Sequence, residues 1–175
     1  MPEGARPAEV PHGPIQRLAP LVRGAQLDHV AVAVGDLAAA AALFRDVLGG
    51  GFIMGSEIEH QAFRFVQYRL PGGGKFELVT PTAEGFVSRF LDRRGEGVHH
   101  VTLKVERIEE QIERLRAGGV HLTLVNLSNP HWKEAFIHPA NAHGVLIQLA
   151  QSKHDDDEAA RHLREAFPEA VLLGA

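Results

Sequence analysis

The segment LDHVAVAV, residues 27–34, recurs as VHHVTLKV, residues 98–105, and the matching histidines His29 and His100 lie 71 residues apart. KFELV, residues 75–79, recurs more loosely as LIQLA, residues 146–150, and Glu77 and Gln148 stand at the same 71-residue offset. Two polar pairs sharing one offset predict two copies of one module. A lone histidine or carboxylate is most often a hydrogen-bonded structural group or a solvated one. Packing does not ask for polar residues at the same place in both copies, so the repeat sets these four side chains apart.

Working outward from each strand, the order is strand, helix, further strands. In the first copy Val30, Val32 and Val34 alternate with His29, Ala31 and Ala33, the period of a half-buried strand. Asp36 is placed to cap a helix running through Leu48, with Leu37, Ala40, Ala41, Phe44 and Leu48 on one face and Gly49-Gly50-Gly51 ending it. Strands follow near residues 52–58, 63–70 and 75–79, the last two turned by Pro71-Gly72-Gly73-Gly74. The second copy predicts a strand at 98–105, a helix on Ile108, Ile112 and Leu115, and strands near 120–125, 133–137 and 144–150, with a short linker helix near 84–94 between the copies. The fold class is therefore α+β: paired βαβββ modules in a curved, mixed sheet with the helices on its outer face. The domain spans residues 27–151, with modules at about 27–81 and 98–151. Residues 1–26 read as an extension and 152–175 as a tail with a short helix over 159–167 and an apolar stretch at 170–173.

Composition narrows the function. At 175 residues, 45% hydrophobic and 23% charged, the chain is that of an ordinary globule. A net charge of −4 offers no field for nucleic acid, and no basic run suggests a membrane surface. There is no signal pattern and no apolar run of membrane-spanning length, so a cytoplasmic protein is expected. With no cysteine, any metal must be held by His, Asp, Glu or Gln. Strand parity puts His29, Glu77, His100 and Gln148 opposite the apolar, helix-facing side chains, in the hollow of the sheet. Two imidazoles, a carboxylate and an amide oxygen suit one divalent ion such as Co, Ni, Zn, Mn or Fe.

LDHVAVAVGDLAAAAALFRDVLG, KFELVTP, FLDRRGEGVHHVTLKV, FIHP and HGVLIQLAQ together resemble the vicinal-oxygen-chelate (glyoxalase/bleomycin resistance/dioxygenase) superfamily over about residues 27–151. Within it they are most similar to methylmalonyl-CoA epimerases. The resemblance implies a metal in the cleft, chelation of two substrate oxygens, an acyl-CoA substrate and a homodimer. It also implies that His29, Glu77 and His100 are metal ligands and that Gln148 holds the fourth position, where the family has Glu.

Epimerisation beside a thioester needs two proton-transfer groups, one on each face of the reacting carbon. Glu59 or His60 aligns with the Glu that supplies the first in the family. The second would sit at position 148, but a glutamine amide accepts no proton at neutral pH. The carboxylate of Glu77, across the pseudo-twofold axis, or His60 acting together with Glu59, is then left to serve. Rival readings are a glyoxalase-I-like lyase, a ring-cleaving dioxygenase, and a metal-free small-molecule-binding protein of the antibiotic-resistance type. Trp132, Phe63 and Phe65 are candidate cleft walls, and Arg93, Arg94, Lys104 and Lys133 are candidate partners for phosphate or carboxylate.

Overall fold

A computed structural model describes residues 20–156 and 158; most of the expected N-terminal extension, and the C-terminal helix and apolar stretch, lie outside the described residues. The elements follow the predicted order: β1 (Gln26–Ala33), α1 (Leu37–Ala42), β2 (Gly51–Ile58), β3 (Phe63–Arg69), β4 (Lys75–Pro81), α2 (Phe86–Arg94), β5 (Gly97–Lys104), α3 (Ile108–Ala117), β6 (Leu122–Asn126), β7 (Trp132–Ile137) and β8 (Ile147–Ser152). They form one eight-stranded sheet in the order β2-β3-β4-β1-β5-β8-β7-β6. β1 pairs with β4 in parallel, as β5 does with β8, and the two halves meet where β1 and β5 run antiparallel. Each half is thus a βαβββ module. No described helix is long and apolar enough to cross a membrane.

Alternation along the strands builds two outer cores. Val34, Val66, Tyr68 and Leu78 pack with Leu37, Ala40, Ala41 and Phe44 of the first helical segment. Val105, Ala135 and Leu149 pack with Ile108, Ile112 and Leu115 of α3.

Two findings depart from the sequence reading. The helix expected to run through Leu48 keeps its Asp36 cap, which accepts from the Ala39 amide at 3.0 Å, but it changes to a π-helical turn over Leu43–Val47. The wider turn shifts the phase of the apolar stripe, so Phe44 stays on the sheet while Leu43, Val47 and Leu48 are exposed. Gly50 is needed where this turn meets the sheet, because a Cβ there would lie 2.7 Å from the Phe44 carbonyl oxygen.

The second departure concerns α2, which does not join the outer layer. Its Val87 packs with Ala33, Phe65 and Val79, which share strand parity with His29, Gln67 and Glu77. α2 therefore closes one end of the hollow face, because its apolar side finds uncovered sheet there.

Candidate metal centre

The seam between β1 and β5 carries two irregularities. Pairing steps from Leu27↔Leu103 to His29↔Thr102, leaving Asp28 extra, and from Ala31↔His100 to Val32↔Val98, leaving His99 extra. Such bulges re-aim a side chain. Asp28 and His99 are themselves 71 residues apart, and each meets the imidazole that follows it. Asp28 Oδ2 lies 2.6 Å from His29 Nδ1, and His99 Nδ1 lies 2.9 Å from His100 Nδ1. Each contact fixes a ring through Nδ1 and leaves Nε2 for other work, the usual support of a metal-binding histidine.

His29, Glu77 and His100 converge in the hollow, each offering a ligand atom within 4.8 Å of the other two. Both imidazoles are buried. In the neutral tautomer whose Nδ1–H donates to Asp28, His29 presents a lone pair at Nε2, 3.8 Å from Glu77 Oε2 and 3.0 Å from Thr102 Oγ1. The Thr102 hydroxyl donates instead to Gln148 Oε1 at 2.6 Å. Glu77 Oε2 accepts from Gln67 Nε2 at 2.7 Å, and buried Gln67 Oε1 finds no partner among the described residues. The centre thus holds electron pairs that no proton reaches. Two imidazoles with one carboxylate are a donor set that suits a divalent cation, which would supply the missing positive charge.

Gln148 lies in the same hollow, with its Oε1 taken by Thr102 and its Nε2 donating to Glu134 Oε2 at 2.7 Å. Glu134 was not singled out in the sequence, although Trp132, Glu134 and Phe136 alternate with the core residue Ala135. Trp132 Nε1 donates to the same Glu134 oxygen at 3.1 Å, and the Phe136 ring lies 5.9 Å from that of His100. Burial raises the Glu134 carboxyl above its usual range; the Trp132 and Gln148 bonds oppose this, and the charge of Glu77 adds to it.

Below His29 sits an ionic cluster. Lys75 reaches Asp28 at 2.9 Å and Asp156 at 2.8 Å, and Lys104 lies 3.2 Å from Asp28. Lys104 is thereby committed, as is Lys133, which pairs with Glu109. Arg94 lies over the Phe90 ring. Phe63 and Phe65 belong to the core beneath α2, whereas Trp132 lines the hollow. Glu59 and His60 occupy an exposed 3-10 turn after β2, and neither hydrogen-bonds to His29, Glu77 or His100. A separate apolar hollow lined by Val34, Leu43 and Phe44 lies on the outer face.

Burial, reinforced by His99 and His29, pushes His100 well below the usual histidine range, and burial pushes His99 down to about 4. Both are neutral at pH 7, the form a metal requires. For the metal-free protein the unfolded chain then binds more protons than the folded one below the ordinary value of 6.5. Stability is complete above pH 6.5 and is lost as pH falls, by about 1.4 kcal/mol per unit for each imidazole that stays neutral in the folded state. Glu134, raised, works the opposite way above 4.5, one group against two. Urea titrations at pH 7 and 5.5 are expected to show the lower stability at 5.5; equal stabilities would contradict this.

Known proteins share this architecture. Residues 28–136 match the profile of the Glyoxalase/Bleomycin resistance protein/Dioxygenase superfamily. The ethylmalonyl-CoA/methylmalonyl-CoA epimerase of Cereibacter sphaeroides is 33% identical over 72% of this chain and 97% of its own. The crystal structure of methylmalonyl-CoA epimerase from Mycobacterium tuberculosis superposes with a TM-score of 0.69 at 32% identity, covering 82% of this chain and 96% of that one. A methylmalonyl-CoA epimerase solved in complex with methylmalonyl-CoA and NH4+ superposes with a TM-score of 0.66 at 26% identity, covering 74% and 95%.

Proposed function

Because the chain belongs to the glyoxalase/bleomycin resistance protein/dioxygenase superfamily, we propose that it is a metal-dependent epimerase of methylmalonyl-CoA or a closely related acyl-CoA. The observation that carries this reading is the convergence of His29, Glu77 and His100, drawn from both repeats, in a chain similar to acyl-CoA epimerases. In this reading those three residues hold one divalent ion of Co, Ni, Zn, Mn or Fe, with Gln148 beside them at the fourth position. When bound, such an ion supplies Lewis-acid stabilisation of the negative charge that develops on a thioester oxygen.

The chain's own groups do the rest. Asp28 and His99 orient the two imidazoles through their Nδ1 atoms. Phe136 packs edge-on against the His100 ring and helps to hold its orientation. One proton-transfer group removes the carbon-bound proton from one face, and a second returns a proton to the other. The Glu59–His60 turn is the candidate for one of the two, at the rim of the first module. Glu77 serves the cation in this assignment, and its charge is better spent there than in proton transfer.

The same reading includes a cytoplasmic homodimer, for which exposed Leu43, Val47 and Leu48 offer apolar surface; sedimentation equilibrium checks it. The enzymatic reading is tested by metal content together with deuterium uptake at C2 of methylmalonyl-CoA in D₂O. About one divalent ion per chain and measurable uptake are expected, both lost in His100→Ala. If the protein binds no metal and shows no uptake after addition of each candidate ion, the reading is wrong and a metal-free binding protein is favoured.

A further inference from the structure

We propose that Glu134 is the second proton-transfer group of the cleft, doing what the amide at position 148 cannot. This rests on the epimerase reading above. Gln148 has both ends of its amide engaged, Oε1 by Thr102 and Nε2 by Glu134. An amide so held has no basic atom to offer a carbon-bound proton. Glu134 stands diagonally from it on the neighbouring strand: Phe136 pairs with Gln148, and Ala135 between them is fully buried in the outer core. Alternation therefore puts Glu134 on the hollow face.

The two oxygens of Glu134 are in different situations. Oε2 accepts from both Trp132 Nε1 and Gln148 Nε2, which fixes the plane of the carboxylate. Oε1 has no hydrogen-bond partner among the described residues and is not among the buried atoms lacking one, so it keeps some accessible surface. One oxygen anchored and the other free is the arrangement of a positioned base. Glu134 is not one of the three groups that converge within 4.8 Å, so its charge is not consumed there. It comes from β7 in the second module, while the Glu59–His60 turn follows β2 in the first, and the His29 cluster lies on the strands between them. The two groups thus approach a bound substrate from opposite sides.

The step balances without any redox partner. Glu134 Oε1 takes the proton from C2, and the electron pair of that C–H bond moves into the C1–C2 bond and onto the thioester oxygen. The group on the opposite side then gives a proton to C2 as the electron pair returns to form the new C–H bond. In the reverse direction the two exchange roles.

The test compares the parent protein with Glu134→Gln, which keeps an oxygen for Trp132 and Gln148, and with Glu134→Asp, which withdraws the carboxylate by one methylene. Each Co-loaded protein is given each C2 stereoisomer of methylmalonyl-CoA separately in D₂O. Deuterium entry and stereoisomer conversion are followed by NMR, with metal content measured by mass spectrometry. Emission of Trp132, the one tryptophan of the chain, reports ligand arrival beside Glu134.

In Glu134→Gln, conversion is expected to fall about 100-fold or more, while deuterium still enters one stereoisomer through the remaining group. Metal content and the ligand-induced emission change are expected to persist, and Glu134→Asp is expected to fall between parent and Glu134→Gln. Conversion within about threefold of the parent would overturn the proposal. So would loss of metal in Glu134→Gln, or an absence of any emission change when ligand saturates the parent. A parent that exchanges neither stereoisomer would overturn the epimerase reading, and this proposal with it; an active parent with an equally active Glu134→Gln overturns the role of Glu134 alone.

Discussion

Replacing Asp28 by alanine is expected to lower folding stability by about 3–5 kcal/mol at pH 7, the range for removing one partner of a buried ion pair. Asp28 and Lys75 are 8% and 5% exposed, so the lysine left behind cannot recover its hydration. Its remaining partner, Asp156, also serves Arg69, which places the loss toward the lower end of that range. Burial opposes ionisation of Asp28, but the hydrogen bonds and charges of His29 and Lys75 outweigh it and hold the carboxyl well below its ordinary value of 3.8. A carboxylate depressed in this way contributes stability that is complete above its unfolded value and is lost as pH falls. The gap between parent and variant should therefore narrow below about pH 4. Metal affinity is expected to drop by about 10–100-fold as well, because His29 loses the group that sets its tautomer. Urea titrations at two pH values and competition against a chromophoric chelator measure both effects. A loss under about 1 kcal/mol at pH 7 would mean that the Asp28–Lys75 pair carries no more than an exposed one.

Glu77→Gln is expected to separate binding from folding. The variant keeps the shape of the side chain and removes the only carboxylate among the three converging groups. Affinity for a divalent ion should fall by more than about 100-fold, since changes one shell further out already cost roughly 10–100-fold. The metal-free variant should nonetheless be at least as stable as the metal-free parent. In the parent, Glu77 Oε2 faces the His29 lone pair, and its charge adds to the strain on Glu134; a neutral amide relieves both. Sites built for a ligand commonly trade stability in this way. Thermal melts in the presence of chelator, beside the affinity measurement, distinguish the outcomes, and a large destabilisation would show that Glu77 is a structural acceptor for Gln67.

Alternation and the 71-residue offset were enough to read both modules and to place His29, Glu77, His100 and Gln148 on one face, because strand parity is a local property. The supporting residues were harder to see. Asp28 and His99 share that offset, yet simple alternation sends both to the outer face, and only the seam bulges bring them to Nδ1 of the neighbouring imidazoles. Glu134 is legible in principle, since WKEAF alternates around the core residue Ala135, but at the 71-residue offset the first repeat carries Phe63 and not a polar counterpart. The position of α2 was not legible. An amphipathic pattern says that a helix has an apolar side, not which face of a sheet that side will meet. The π-helical turn at Leu43–Val47 is likewise decided by how Phe44 and Gly50 fit the sheet.

The seam has a kinetic consequence. Within each module the outer strands are joined by short connections, as β3 to β4 and β6 to β7, so their pairing is local. The β1–β5 pairing instead closes a loop of some seventy residues and bears the larger entropic penalty of that closure. His29 and His100 meet only when that loop has closed. An ion that needs both imidazoles would then find its site only late on the way to the native state. It should slow escape from that state rather than hasten arrival: added metal should lower the unfolding rate and leave the early refolding phase nearly unchanged.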